Sequence, residues 1–299
     1  MKSFLVAVDG SKDAMNASEA AWTLAKGNKA KILGMSVVDT QSIWDFLGHK
    51  LAGLIGSGPY VAAYESIYSS LKNISDALLM AFETRSQGYG IQTETVITEG
   101  NLAEMLLKHG ESHDLIIMGR RAKYSSSNHT IFRTSLSEKL AETSPTPVLM
   151  VSSEPYRWKT ARFIFDSKSF DRQQVLQFFQ LAQELKLQPE LFCTDENAEE
   201  SKERIQEFCA TEAPMFTHDT TYGDESWQSA IDVTSSTLMM ISTCERDGER
   251  CLGNGPTIRK FIHSMPILSF VVFPPKKDVA QSAKTKSQAS ESLVSVTAG

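Results

Sequence analysis

The chain has 299 residues, enough for two domains of ordinary size that each bury a hydrophobic core. Apolar residues make up 41% and charged residues 22%, which is typical of a soluble globular protein and excludes a fibrous or fully disordered one. The net charge of −6 argues against a general nucleic-acid binder. Since every apolar run is too short to span a bilayer or to form a signal-peptide core, we expect a cytoplasmic protein without a membrane span.

The first copy of a repeated module begins at the N-terminus and alternates short apolar runs with helical patterns. Short apolar or alternating runs bounded by Gly, Asp or Pro predict strands at 4–8, 31–38, 91–98, 115–118 and 148–151. Apolar residues spaced three and four apart predict helices at 14–25, 60–86, 102–109 and 135–142. The segment 41–59, rich in large apolar side chains, is predicted to extend a helical hairpin over the sheet; a lid, a partner-binding helix and a membrane-surface helix are the alternatives.

The second copy repeats this plan, and it begins near residue 160. Its predicted strands are 163–165, 190–193, 215–218, 238–241 and 267–273, and its clearest helices are 173–185 and 199–209. From residue 276 onward the chain lacks apolar periodicity, which predicts a disordered tail. The expected organisation is a first domain at 1–152, a linker at 153–159, a degenerate second domain at 160–275 and a tail at 276–299.

Matching segments in the same order carry the evidence for two copies. The pairs are 2–11 with 161–169, 98–101 with 221–224, 115–119 with 238–242, and 144–151 with 264–271. The spacing between counterparts shortens by about 33 residues between the second strand and the third, so the second copy lacks part of what the first copy carries at 40–91. Because strands alternate with helices, the fold class is α/β, with two tandem doubly wound domains, each a five-stranded parallel sheet with helices on both faces.

Four cysteines lie in the second copy, and none has the spacing of a metal ligand set. We therefore predict reduced structural thiols and no metal site. The cysteines are Cys193, Cys209, Cys244 and Cys251.

Polar segments follow three predicted strands of the first copy, where ligands of open parallel sheets gather. They are Asp9-Gly10-Ser11, Val38-Asp39 and Gly119-Arg120-Arg121. The loop 119–134 carries four basic side chains and no acidic one, and it leads into a helix that starts at Ser135. Free N–H groups and nearby cations suit a phosphate group. The alternatives are a plain surface loop and a capping box formed by Ser135 and Glu138.

At these residues the chain resembles the universal stress protein family. The matching segments are Val6-Ala-Val-Asp9-Gly-Ser11, Val38-Asp39, Ile117-Met-Gly119, Ser135-Leu-Ser-Glu-Lys139 and Pro145-Thr-Pro147-Val-Leu. The resemblance covers 1–152 and, more faintly, 160–273. It implies a Rossmann-like fold and, in one branch of the family, ATP binding through a loop Gly-x-x-Gly-x9-Gly-Ser/Thr. Here Gly119 matches the first glycine, Ala122 and Thr134 replace the other two, and the loop is two residues longer.

Carried onto this sequence, the resemblance implies ATP or AMP in the first copy. Asp9 and Val38 are expected to contact adenine or ribose, and Gly119, Arg120 and Thr134 to contact phosphate. The full expected set is Asp9, Gly10, Ser11, Val38, Asp39, Met118, Gly119, Arg120, Thr134, Ser135 and Leu136.

The second copy is expected to hold no nucleotide. Thr243 replaces the glycine there, and the loop 244–251 carries three acids against two bases, an unfavourable field for phosphate.

In single-copy relatives the fifth strand is an edge that commonly pairs with a second subunit. The two copies here each end in such a strand, so we expect 148–151 and 267–273 to pair within the chain. The product is an intramolecular pseudo-dimer, and the chain a monomer or a homodimer. With no catalytic constellation or Walker motif, the leading interpretation is a non-enzymatic stress-response protein with an unknown protein partner. An ATP-using enzyme (a weak hydrolase or nucleotidyl transferase) and a nucleotide-free protein-binding scaffold are the alternatives.

Overall fold

The computed structural model describes residues 1–51, 57–120, 135–152, 158–166, 170–193, 198–209, 221–222, 236–252, 255–264 and 269–275. The strands are β1 Ser3–Ala7, β2 Lys31–Val38, β3 Thr93–Glu99, β4 Leu115–Gly119, β5 Val148–Val151, β6 Thr160–Phe165, β7 Gln188–Cys193, β8 Thr221–Tyr222, β9 Thr237–Ser242, β10 Cys244–Arg246, β11 Glu249–Cys251 and β12 Ser269–Phe273. The helices are α1 Lys12–Asn28, α2 Thr40–Leu51, α3 Ser57–Gly88, α4 Leu102–Gly110, α5 Leu136–Thr143, α6 Arg172–Glu184, α7 Ala198–Cys209 and α8 Ile258–Ser264.

Ten of the strands form one continuous sheet. Its order is β3-β2-β1-β4-β5-β12-β9-β6-β7-β8, so the second half reverses the strand order of the first. Among the described strands of this sheet, pairing is parallel within each half and antiparallel between β5 and β12. Strands β10 and β11 form a separate antiparallel pair. The predicted fold class, α/β with a five-stranded parallel sheet in each half, is confirmed.

The join between the halves is the pairing of β5 with β12. Phe270 lies opposite Met150 and Val271 opposite Leu149. This confirms the predicted pairing of the two last strands within one chain. A two-fold relation between the halves follows from antiparallel pairing of equivalent strands.

Two hydrophobic cores cover the two faces of the sheet, and both continue across the join. Leu149 and Val271 face one core, whereas Met150 and Phe270 face the other, as the two-residue period of a strand requires. All four side chains are fully buried. Burying side chains of this kind stabilises a fold by about 1.5–3 kcal/mol each, so the join is part of the core of both halves.

Helices α1 and α3 cover the first half on one face. The Trp22 indole of α1 donates a 2.8 Å hydrogen bond to Ser86 Oγ of α3, and its ring packs 5.3 Å from that of Phe82. A Cβ atom at Gly34 would lie 2.8 Å from the Phe82 ring. The glycine in β2 therefore lets α3 pack directly on the sheet.

Where the second half is shorter, the first half carries α2 and the long helix α3. These two helices pack on each other as the predicted hairpin requires, and α3 covers β2 and β3. Ile43 and Leu47 of α2 are buried with Val38 beneath half-buried aromatic residues of α3. In the second half the corresponding place between β7 and β8 holds α7, which has 12 residues against 32 in α3.

Some predicted elements lie outside the described residues, namely the strand at 215–218, most of the linker and the tail 276–299. The short strand β8 pairs with β7 at that edge of the sheet. Among the described elements, the hairpin β10–β11 was not predicted. The domain bounds stay a prediction. None of the described helices combines the length and the apolar character needed to cross a bilayer.

Candidate functional site

The carboxyl ends of β1, β2 and β4 lie side by side because β1 is hydrogen-bonded to both neighbours. The strand order reverses between β1 and β4, which is where open α/β sheets bind ligands. Asp9 and Gly119 stand on the two sides of this point, and Asp39 follows β2. The structure therefore brings together the three polar segments that the sequence placed at strand ends.

Asp9 presents a carboxylate at the end of the central strand β1. Its side chain is exposed, and Oδ1 accepts a 2.8 Å hydrogen bond from the Ser11 backbone N–H. Gly10 between them has a φ of +73°, a left-handed conformation that favours glycine. Within the described part of the chain Oδ2 has no hydrogen-bond partner, so this exposed oxygen can accept hydrogen bonds from a ligand.

Ser11 and Asp39 are helix caps. Ser11 is buried, and its Oγ accepts a 3.1 Å hydrogen bond from Ala14 N at the start of α1. Asp39 accepts two hydrogen bonds from Ser42 of α2, at 3.0 Å from the backbone N–H and 2.7 Å from the hydroxyl. Both side chains thus orient the helices that leave the strand ends.

Gly119 allows β4 to touch the first turn of α1. A Cβ atom at this position would lie 2.6 Å from Ala14 N and 2.8 Å from the Asp13 carbonyl carbon. Contacts this short do not occur between real atoms, so only glycine fits. The result is that the positive N-terminal end of α1 lies next to the end of β4.

Val38, Met118 and Leu136 are core residues. Their side chains are 2%, 0% and 4% exposed, and Met118 and Leu136 belong to the core on the opposite face from α3. A ligand at the strand ends can therefore reach these three residues only through their backbone groups.

Arg120 lies elsewhere than expected. Its guanidinium donates from Nη2 to the carbonyl oxygen of Ile262 and lies 4.9 Å from the centre of the Phe270 ring. Only 8% of the residue is exposed. This position corrects the expected phosphate role of Arg120, because the side chain is directed into the join between the halves. The sequence could not predict this, since the acceptor is 142 positions away.

Arg250 makes the reciprocal contact from the second half. Its Nη1 donates to Ala141 O at 3.0 Å and to Ser144 O at 2.8 Å, at the C-terminal end of α5. Burial lowers its pKa to about 10, so it stays charged at neutral pH. Each half therefore sends an arginine to the carbonyl end of the other half's last helix, where a cation is favoured. In the sequence, Arg250 is one of the two basic residues of the loop 244–251.

Ser135 begins α5 through a capping box. Its Oγ accepts from Glu138 N at 3.2 Å, and Glu138 Oε2 accepts from Ser135 N at 3.1 Å. The capping-box alternative is therefore confirmed. Thr134 and the rest of the loop 121–134, including Arg121, lie outside the described residues.

The second half departs from the first at the corresponding strand ends. Asp166, the counterpart of Asp9, is 4% exposed, whereas Asp9 is exposed. After β9 the hairpin β10–β11 stands where the first half has its basic loop, and Thr243 at its base donates a 2.7 Å hydrogen bond to Phe273 O. The two strand-end regions therefore differ in the exposure of this aspartate and in the charge of the following loop.

Stacked aromatic side chains lie beside the strand ends of the first half. The rings of Trp44 and Tyr64 stack at 4.4 Å, and Tyr64 and Tyr68 follow at 6.1 Å. The Tyr68 hydroxyl donates to Glu99 at the end of β3, and this hydrogen bond raises the pKa of Tyr68. A groove of about 470 Å³ runs from Glu99 along β3 and α3, apart from Asp9.

Comparison with known proteins gives a family and a shared fold. The family model described as the universal stress protein family matches residues 1–152, just over half of the chain. None of the curated proteins compared with the chain matches it. A universal stress protein from Archaeoglobus fulgidus DSM 4304 superposes with a TM-score of 0.62 at 15% identity, over 92% of this chain and 97% of that one. A protein of unknown function from Pseudomonas aeruginosa PAO1 gives 0.53 at 14% identity, over 96% and 98%. Both likenesses extend over the two halves of the sheet.

Proposed function

Because the chain belongs to the universal stress protein family, we propose that its first half binds one adenine nucleotide, ATP or AMP, without turning it over. The binding site is the cleft between the ends of β1 and β4. The protein acts in the cytoplasm as a nucleotide-responsive component of the stress response, and its second half completes the sheet and holds no nucleotide.

The exposed carboxylate of Asp9 is the observation that carries this proposal. It stands at the point where the strand order reverses, and one of its oxygens has no partner among the described residues. A carboxylate in this position can accept hydrogen bonds from ribose hydroxyl groups. Gly10 and Gly119 shape the backbone beside it, because Gly10 adopts a left-handed turn and a Cβ atom at Gly119 would overlap the first turn of α1.

Phosphate groups would be held mainly by backbone donors. The first turn of α1 lies against Gly119, and free N–H groups at a helix start bind anions without a charged side chain. Arg120 takes no part because it is directed into the join. The expected contributions of Thr134 and Ser135 stay predictions, and Ser135 offers its hydroxyl only if the capping box opens.

One nucleotide per chain follows from the difference between the halves. Asp166 is buried, and the hairpin β10–β11 replaces the basic loop. The loop 244–251 also carries more acidic than basic side chains, which repels phosphate.

Isothermal titration of ATP and AMP into three variants tests the site. Asp9→Ala should lower affinity about ten-fold or more, because a hydrogen bond to a charged group contributes about 1.5–3 kcal/mol. Asp9→Asn retains the Oδ1 acceptor for the Ser11 backbone N–H. Comparing it with Asp9→Ala separates the effect of the lost charge from the effect of the lost hydrogen bond in the turn at residues 9–11. Asp114→Asn is the matched control, since Asp114 is an exposed carboxylate at the opposite, amino end of β1. Equal affinities in Asp9→Ala and Asp114→Asn would contradict the site.

A nucleotide-free scaffold is the second candidate, and a specific observation favours it. Arg120 is used in the join, while Trp44 and Phe46 of α2 leave 48% and 49% of their surface exposed. Titration separates the two candidates, because a scaffold shows no binding of ATP or AMP in the parent. Phosphate release on incubation with ATP and Mg²⁺ would instead indicate the enzyme alternative.

A further inference from the structure

The hairpin β10–β11 places two cysteines opposite each other. Its two-residue turn, Asp247-Gly248, has φ values of +54° and +80°, as a type I′ turn requires. This turn fixes the register: Arg246 pairs with Glu249, and Cys244 pairs with Cys251 at the open end.

The distance between the two cysteines suits a disulfide. Directly opposite residues of an antiparallel pair have Cα atoms about 4.5–5.5 Å apart and side chains on one face. Disulfides span Cα distances of about 4.4–6.8 Å. The Cys244 thiol already reaches the opposite strand, since its Sγ lies 3.7 Å from the carbonyl oxygen of Cys251.

Exposure makes Cys244 the first thiol to react. Cys244 is half-buried, whereas Cys251 is only 1% exposed. The backbone of Cys251 also forms an antiparallel β-bridge with Thr257. Cys193 differs from both because it lies in the core and contacts Ser201, and its strand neighbour in β6 is Phe165. Among the described cysteines, only Cys244 combines partial exposure with a second cysteine directly opposite it on the neighbouring strand.

We propose that Cys244 and Cys251 form an oxidation site that a peroxide converts into an intrachain disulfide. Hydrogen peroxide transfers one oxygen atom to the Cys244 thiol, which becomes a sulfenic acid, and the other oxygen atom leaves as water. The Cys251 thiol then attacks Sγ of Cys244, the S–S bond forms, the S–O bond breaks, and hydroxide leaves as a second water with the thiol proton. Two thiols and one peroxide thus give one disulfide and two waters.

The disulfide joins the two strands of the hairpin, and it acts on the first half through Arg250. Arg250 precedes Cys251 directly in β11, and its guanidinium binds the carbonyl groups of Ala141 and Ser144. Closing the open end of the hairpin restricts the strand that carries this arginine. Oxidation therefore strengthens the contact between the hairpin and the end of α5.

Peptide mapping of the oxidised full-length chain tests the site. The protein is treated with hydrogen peroxide, alkylated and digested with trypsin without reduction. Trypsin cleaves after Arg246 and Arg250, so the disulfide joins two peptides that otherwise separate, with a loss of about 2 Da for two hydrogen atoms. Cys209 shares a tryptic peptide with Cys244, so the Cys209→Ser variant makes the assignment unambiguous.

The expected result is a linked peptide in the parent and in Cys209→Ser, absent from Cys244→Ser and removed by dithiothreitol. Amide hydrogen exchange at 244–251 and at the end of α5 should slow on oxidation in the parent and stay unchanged in Cys244→Ser. Several outcomes overturn the proposal: both thiols still alkylated after peroxide, Cys244 oxidised to sulfinic acid without a linked peptide, or a disulfide between two chains. Unfolding of reduced Cys244→Ser in urea, matched to the parent, shows that the variant is folded.

Discussion

Replacing Arg250 by methionine should destabilise the protein through the join between its halves. Methionine keeps much of the aliphatic volume but loses the donors to Ala141 O and Ser144 O. Hydrogen bonds from a charged group contribute about 1.5–3 kcal/mol each. The buried Nε of Arg250 has no partner among the described residues, and removing it recovers about 1–3 kcal/mol. The two hydrogen bonds together contribute about 3–6 kcal/mol, so the net loss in the free energy of unfolding is about 2–3 kcal/mol.

Urea unfolding followed by tryptophan fluorescence measures this loss. A net change of this size lowers the midpoint by roughly 0.7–1 M. Arg246→Met is the matched control, because Arg246 lies in the same hairpin but is exposed and donates one hydrogen bond to Gly255 O. Its effect should stay within about 0.5 kcal/mol. Equal changes in the two variants, or an increase in stability for Arg250→Met, would refute the role of Arg250 in the join.

Three further changes probe the fold and the corrected site. Gly119→Ala should lower the free energy of unfolding by about 1–3 kcal/mol in urea titrations, because its Cβ would overlap Ala14 N; no measurable loss would contradict the close approach of β4 and α1. Arg120→Met should lower stability and change ATP and adenosine affinities alike, whereas selective loss of ATP affinity would restore the phosphate role. The fragment 1–155 should dimerise or aggregate in light scattering because it exposes the β5 edge, and a well-behaved monomeric fragment would rule that out.

The architecture could be predicted from the sequence because the repeat constrains it. The strands at 31–38 and 148–151 have the predicted bounds, and their apolar runs end at Asp39 and Ser152. Two copies that both end in an apolar strand require a partner for each edge, and pairing within the chain satisfies both. Local pattern and chain order predicted the strands, and the resemblance to the universal stress protein family implied the pairing of the two last ones.

The hairpin β10–β11 was missed although a signal was present. Asp247-Gly248 is the dipeptide that favours a type I′ turn, and it stands between two short runs of equal length. The three acidic and two basic residues of 244–251 indicate the charge of this loop but not its turn. The cysteine register follows from this turn alone.

The candidate site was predicted only in its local features. The capping box of Ser135 and the turn at Asp9 depend on neighbours in sequence, and both are present. The direction of Arg120 depends on Ile262, which lies 142 positions away in the second half. Side-chain direction at a join between repeats is a long-range property, which periodicity cannot supply.

Native mass spectrometry of the purified full-length chain tests the central claim most directly. The account predicts one adenine nucleotide per chain after incubation with ATP or AMP, retained in Asp114→Asn and largely lost in Asp9→Ala. Two nucleotides per chain would contradict the assignment to the first half. No nucleotide in the parent, or equal occupancy in the two variants, would contradict the site at Asp9.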